Sequence, residues 1–406
     1  MPDSSDNEAT DFNPDHSEMS LVPGKFQVPG LAFHPPVQYR PYMLKLLQFS
    51  LPSPVSANNT LASHLRTEWI QASMVDPCAF HATMFSASVS IDSINGVKNN
   101  SVTIYHQAWV IRLLNERLTK DAPLLDYSTL GSVIPLLYYN MIGLDRFSAI
   151  VHQKGLIKVL QSTQVTKKNV LGSLWGVIKL AMLSLSCVFD ASPVLDCLLS
   201  CTVCPSSILR NLLASASFTG GGSLFEAKVR GSILDVYEAV SHLDHLMRTD
   251  PVTLRVKFRI FSSSVVENGF SVPKENWKEQ LDITGRLNLC SQLSCLLFWK
   301  TLYQKLEGDN VEETKLLLEV LMEIDPSFWT LNAPEALIWI IFTGAAASMD
   351  GKTRASFIHL GGVVVTAIDC EDLLLARQGW TYFRLLRDLR TWTPSGPISE
   401  PENTVA

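Results

Sequence analysis

Residues 373–386 read Leu373-Leu374-Leu375-Ala376-Arg377-Gln378-Gly379-Trp380-Thr381-Tyr382-Phe383-Arg384-Leu385-Leu386. Leu373, Ala376, Trp380, Phe383 and Leu386 recur at steps of three or four, the repeat of one helix face and not the alternation of a strand. The spacing predicts a helix over 370–391, with Asp369 ahead of it as N-cap. The same reading extends back through most of the chain.

Helical patterns cover 60–75, 78–94, 101–120, 128–143, 145–163, 170–189, 228–248, 274–307, 311–323, 333–348 and 352–367. Asn58-Asn59-Thr60 offers caps for the first, and Asp76-Pro77 ends it, because the residue before proline is pushed out of the helical region. In 101–120 the residues Ile104, Ala108, Ile111 and Leu118 form the expected buried stripe, with Leu114 beside it. Asn115, four residues after Ile111, falls on that stripe, where a buried amide would fix one helix orientation by hydrogen bonding. Links between several of these segments are very short, which favours antiparallel neighbours.

Other stretches are less regular. Residues 190–225 hold Pro193, Pro205 and the run Gly220-Gly221-Gly222, and read as a break or mobile loop. Residues 252–262 are ambiguous. The β-branched run Val363-Val364-Val365 is flanked by helix-like patterns, and no internal repeat has a fixed period. The expected fold class is all-α: a multi-helix array of short-linked, mostly antiparallel helices behind a disordered acidic N-terminal tail. Three parts are read: 1–56 as acidic tail and proline-rich lead-in, with a short helix at 44–49; 57–394 as the helical domain; and 395–406 as a disordered tail.

Of the 406 residues, 47% are hydrophobic and 18% charged, enough apolar material for a large core. The net charge of −6 gives no global attraction to phosphates. Residues 1–20 carry Asp3, Asp6, Glu8, Asp11, Asp15 and Glu18 and no Lys or Arg, so a secretory leader with its basic start is not expected. The tail reads as solvated; its acids around Phe12 also suit an activation peptide. Eight cysteines, scattered through apolar helical patterns, are expected to be reduced buried thiols. The apolar stretches 171–188 and 333–349 carry Lys179 and Glu335 and are read as core helices, not membrane spans.

Each near-miss to a common catalytic constellation has a structural reading. Gly351-Lys352-Thr353 ends like a phosphate loop, but Ala346 stands where the leading glycine belongs and a helix precedes it, so an inter-helix turn is expected. The Gly220–Gly222 run lacks the spaced glycines of a dinucleotide site. Cys197, Cys201 and Cys204 lack the second short couple of a structural zinc site. His242 and His245 lie three apart on a helix with no marked third ligand. Asp369, Glu371 and Asp372 resemble half of a magnesium-binding aspartate motif, but acids at a helix start already complement its dipole. Arg384, Arg387 and Arg390 read as a solvated helix face more readily than as a nucleic-acid contact. Lys167-Lys168 is too short for a nuclear import cluster. No nucleophile elbow is present. No catalytic residue, cofactor or metal ligand is therefore assigned.

A resemblance appears in three blocks. Asp76-Pro77-Cys78-Ala79-Phe80-His81-Ala82 leads into Ser86-Ala87-Ser88-Val89. Tyr105-His106 is followed by Ile111-Arg112-Leu113-Leu114-Asn115-Glu116-Arg117-Leu118. Ala333-Pro334-Glu335-Ala336-Leu337-Ile338-Trp339 runs on to Ala345-Ala346-Ala347. In this order and spacing the chain resembles the fungal-specific transcription factor domain, over roughly residues 60–391. That family usually carries six cysteines near its N-terminus, which bind two zinc ions and read DNA. Here no cysteine precedes Cys78. The resemblance implies a nuclear, non-enzymatic transcriptional regulator or co-regulator without its own DNA-binding module. It would act on DNA-bound factors or on itself through protein contacts, with control of a secondary-metabolite gene cluster as the family-level expectation. Neither direct nucleic-acid binding nor a membrane is expected; a small-molecule effector has room in such a scaffold. The alternative is a helical enzyme or small-molecule-binding protein of a biosynthetic pathway.

Overall fold

The computed structural model describes residues 60–391 apart from 96, 98–99, 120–125, 163–171, 192–203, 216–224, 250–280, 304–309, 326–327, 330–331 and 369–372. The acidic tail, the lead-in with its 44–49 helix, segment 252–262, and the tail after Pro394 lie outside these residues. The fold is all-α, with thirteen helices and no strand among the described residues.

In chain order the helices are α1 (Leu61–Val75), α2 (Pro77–Asn95), α3 (Ser101–Leu118), α4 (Tyr127–Ile142), α5 (Arg146–Ser162), α6 (Ser173–Val188) and α7 (Ser207–Ser215). They continue with α8 (Ala227–Thr249), α9 (Ile283–Tyr303), α10 (Val311–Met322), α11 (Pro334–Ala347), α12 (Gly351–Ile368) and α13 (Leu374–Thr391).

Several starts are set by one device, a short polar side chain accepting from an orphan backbone N–H. Thr60 caps α1 and Asp126 caps α4. Asp145 takes the Ser148 N–H at 3.0 Å, Asp282 takes that of Gly285 at 2.7 Å, and Asp350 takes that of Thr353 at 2.8 Å. The Asp282 cap sets the start of α9 at Ile283; residues 274–280 of the expected 274–307 helix lie outside the described residues. The last helix starts late, at Leu374. Leu373 precedes it with φ +51°, and the expected cap Asp369 lies outside the described residues.

α11 is the centre. Every residue from Ala336 to Ala347 is buried, and α7, α9, α10, α12 and α13 pack around it. A helix apolar all round belongs inside the protein. α6, the other apolar stretch, packs against α1, α4 and α12 and joins the same core. No helix among the described residues is long and apolar enough to cross a membrane. Glycines allow the closest approaches: a Cβ at Gly379 would lie 2.2 Å from the Phe342 ring, and one at Gly344 2.5 Å from that of Phe357. The stripe of α13 is buried as expected, at Leu373, Ala376, Trp380, Phe383 and Leu386. Tyr382 beside it accepts from Trp339 Nε1 at 3.2 Å, so the core carries a satisfied polar contact.

Two expectations are corrected. Residues 190–225 are not wholly loop, since α7 lies there with Ile208, Leu209 and Leu212 buried. In α3 the buried face is Thr103, His106, Val110 and Leu114. Ile104, Ala108, Ile111 and Asn115 face outward, so the Asn115 amide is not a core group. Two polar residues take the inward face because partners await them on α2.

Candidate functional site

The stretches Asp76–Val89 and Tyr105–Leu118 meet on the hairpin of α2 and α3. Asp76 stands between α1 and α2. Its Oδ1 accepts from the backbone N–H of Cys78 at 2.8 Å and of Ala79 at 3.0 Å, and its Oδ2 receives Arg117 Nη2 at 2.7 Å. Both side chains of this pair are more than four-fifths buried. Arg117 also donates to Thr129 on α4 at 3.2 Å, so one guanidinium ties three elements. At the far end of the hairpin, buried Asp92 accepts from Asn100 Nδ2 at 2.8 Å and Thr103 Oγ1 at 2.6 Å. Ala79, Ala82, Ala87 and Ser88 are buried where α2 passes α3 and α4, as small residues at a close crossing should be.

Between these clamps, His81 Nδ1 lies 2.9 Å from His106 Nδ1. Trp109 stacks on the His81 ring at 5.3 Å between centroids and 10° between planes, with Tyr105 and Phe80 edge-on. Arg112 lies over the Trp109 ring, 5.0 Å from its centroid. Burial pushes the His81 imidazole down to about 4, helped by His106; burial alone brings His106 down to about 4. Both rings are therefore neutral near pH 7, as one donor and one acceptor.

Beside this cluster runs an open groove of about 250 Å³. α4 forms its floor with Leu130, Val133 and Leu136. α3 supplies Ile111 and Leu118 as one wall, and α5 supplies Val151 and Gly155 as the other. The walls continue as apolar surface: Ile104 is 50% exposed, Val151 50% and Phe147 79%. Exposed apolar residues scattered singly need no explanation, but a grouped set lining a groove marks a contact surface. The stripe read as core in the sequence is thus the groove's α3 wall.

The sequence near-misses fall elsewhere. Gly351-Lys352-Thr353 forms the first turn of α12, and the Asp350 carboxylate takes the Lys352 and Thr353 amides that a phosphate would need. Cys204 is half-buried, its sulfur 3.1 Å from the Ser206 hydroxyl; Cys197 and Cys201 lie outside the described residues. Cys78, Cys187, Cys290 and Cys295 are free and buried, with thiols pushed up by burial. His242 is exposed on α8, and the side chain of its neighbour His245 is outside the described set. So are Asp369, Glu371, Asp372, Gly220–Gly222 and Lys167-Lys168. Among the described residues no three His, Cys, Asp or Glu converge as a metal site.

The arginine row is corrected. It is not a solvated face. Arg387 Nε donates to Asp190 at 3.1 Å, Arg384 pairs with Asp388 at 3.1 Å, and Arg387 and Arg390 reach the last carbonyls of α11 at Ala346 and Ala347. Cations at a helix C-terminus complement its dipole. The groove, the His pair and the Asp76–Arg117 hub are what sequence reading missed; the signal for the first was the apolar stripe itself, assigned to the wrong side. Compared with protein-family models, with curated proteins and with solved structures, the chain finds no match.

Proposed function

We propose that this chain is a transcriptional regulator or co-regulator that works by protein contact, reaching DNA through factors already bound there. The observation that carries the reading is the apolar groove between α3 and α5, whose size and exposure suit the side chains of a partner segment. Two further points support it. The resemblance to the fungal transcription factor domain runs through residues with definite structural roles, Asp76, His81, His106 and Arg117. No six-cysteine cluster stands among the 406 residues, which is compatible with a reading in which a partner contacts DNA. Nuclear residence and control of a secondary-metabolite gene cluster follow from the resemblance and belong to the proposal.

The test is made in the cell. Gly155 lines the groove, and a Cβ added there meets nothing within 4 Å. Gly155→Leu therefore fills the groove without disturbing the core. Transcript profiles of a deletion strain and of a Gly155→Leu strain are compared, after a thermal melt confirms that the variant folds. Loss of the same set of transcripts in both is expected. Unchanged transcripts with accumulation of one pathway intermediate would sink the regulator reading in favour of the enzyme.

A further inference from the structure

The chain as a whole is acidic, yet the rim of the α3–α5 groove is not. On α5, Lys154 and Lys158 are exposed, one helical turn apart and flanking the groove-lining Gly155. On α3, Arg112 is matched by Glu116. Two acids near the groove's ends serve as caps: Asp145 takes the Ser148 amide and hydroxyl at the start of α5, and Asp126 takes the Thr129 amide at the start of α4. His152, half-buried in the groove, has its basicity lowered by burial. An apolar trough with a cationic edge results.

Residues 1–22 have the complementary chemistry. Six acids and no Lys or Arg surround Phe12, Met19, Leu21 and Val22. We infer that this acidic N-terminal segment of the same chain docks in the α3–α5 groove, its apolar side chains on Ile111, Leu118 and Val151 and its carboxylates along Lys154 and Lys158. The inference rests on the groove being a protein-contact site, as proposed above.

Three observations carry it. Charge sign is opposite on the two surfaces: residues 1–22 hold six acids and no Lys or Arg, while acids and bases balance over the remaining residues. Reach is ample: the residues between Val22 and Thr60 span up to roughly 120 Å when extended, at about 3.3 Å each. Gly155 stands in a helix interior, where glycine is unfavourable, and its bare face opens on the groove with nothing of the described fold above it. A missing side chain at that point lets a docked backbone approach closely. In cis the local concentration of the segment is high, so a weak contact suffices and an outside partner must compete with it.

The experiment uses the full-length purified protein with the photocrosslinker p-benzoylphenylalanine in place of Val151. Illumination followed by peptide mass spectrometry is expected to join position 151 to a peptide within residues 1–24 of the same molecule. Neutralising the six acids (Asp→Asn, Glu→Gln) or making Phe12→Ala should each lower that yield, by about fivefold for the acids at low salt. Neither change touches a described residue, so neither can fail by unfolding the domain. A crosslink between two copies, a crosslink to another segment, no crosslink above a control probe at Leu234, or an undiminished yield from the neutralised tail would each overturn the inference. Failure here leaves the transcript experiment intact, because a groove that rejects its own tail still has partners to test.

Discussion

His81 and His106 face one another through Nδ1, 2.9 Å apart, so one imidazole donates and the other accepts. That bond exists only while both rings are neutral or while one carries a single extra proton. Burial holds both down to about 4, against 6.5 for an unperturbed ring. The unfolded chain therefore binds more protons between these values, and stability rises with pH across that window. The pair's contribution is fully present above about pH 6.5 and is lost as pH falls toward about 4, on the order of a few kcal/mol in all. Urea midpoints taken at a series of pH values check this. Replacing both histidines by Asn should flatten much of the slope; His152 and His359, also lowered by burial, leave the remainder.

Asp76→Ala removes two capping bonds from α2 and strands the Arg117 guanidinium against Thr129. The loss should be about 2–4 kcal/mol, a cap of about 1 plus a broken, largely buried ion pair. Asp76→Asn keeps an acceptor for the amides and should cost less. Equilibrium urea unfolding at pH 7 separates the two, and equal losses would show that the cap alone matters.

Two glycines should answer the same substitution with opposite signs. Gly379→Ala drives a methyl into the Phe342 ring, 2.2 Å from its Cδ2, and should destabilise by about 1–3 kcal/mol. Gly155→Ala meets open space in mid-helix and should stabilise by about 0.5–1 kcal/mol. Thermal melts of the two variants against the parent decide it.

Arg387 links Asp190, after α6, to the last turn of α11. Arg387→Met keeps much of the apolar stem but leaves Asp190 without its ion-pair partner and the Ala346 carbonyl with Arg390 as its guanidinium donor. A loss of about 2 kcal/mol is expected. Burial pushes the Asp190 carboxyl up, but the Arg387 bond and charge outweigh it and hold it below the ordinary range. In the parent this contribution is present above the unfolded carboxyl value and is lost as pH falls through the lowered folded one. Arg387→Met should therefore lose less relative to the parent in acid, which chemical denaturation at pH 7 and pH 3 would show.

The fold could be read from sequence where one apolar stripe had no rival, as in α13 with Trp380 and Phe383. Reading failed in α3 because the helix carries two candidate stripes. Ile104, Ala108 and Ile111 are the more apolar; Thr103 and His106 point inward because Asp92 and His81 wait there as partners. Periodicity weighs residues one at a time and cannot register a hydrogen bond to another helix. The same limit hides Gly379, whose need for a bare backbone comes entirely from Phe342. α7 escaped for a different reason: nine residues make too short a period to stand out between prolines and glycines. The site was legible as residues but not as a surface. Asp76, His81, His106 and Arg117 were all noticed, while the groove required knowing which side of α3 is covered.

The wholly buried helix α11 lies late in the chain, and its neighbours come from both before and after it, α7 at residue 207 and α13 at residue 374. During synthesis the ribosome must deliver most of the protein before this hub exists. Until then α7 and α9 show water the faces that α11 will cover. Low-sequence-separation hairpins such as α2–α3 can form on the nascent chain, but the main core closes only after the polymerisation of α13. A stop codon or frameshift anywhere ahead of α13 therefore yields a sticky, protease-sensitive fragment and not a smaller working protein.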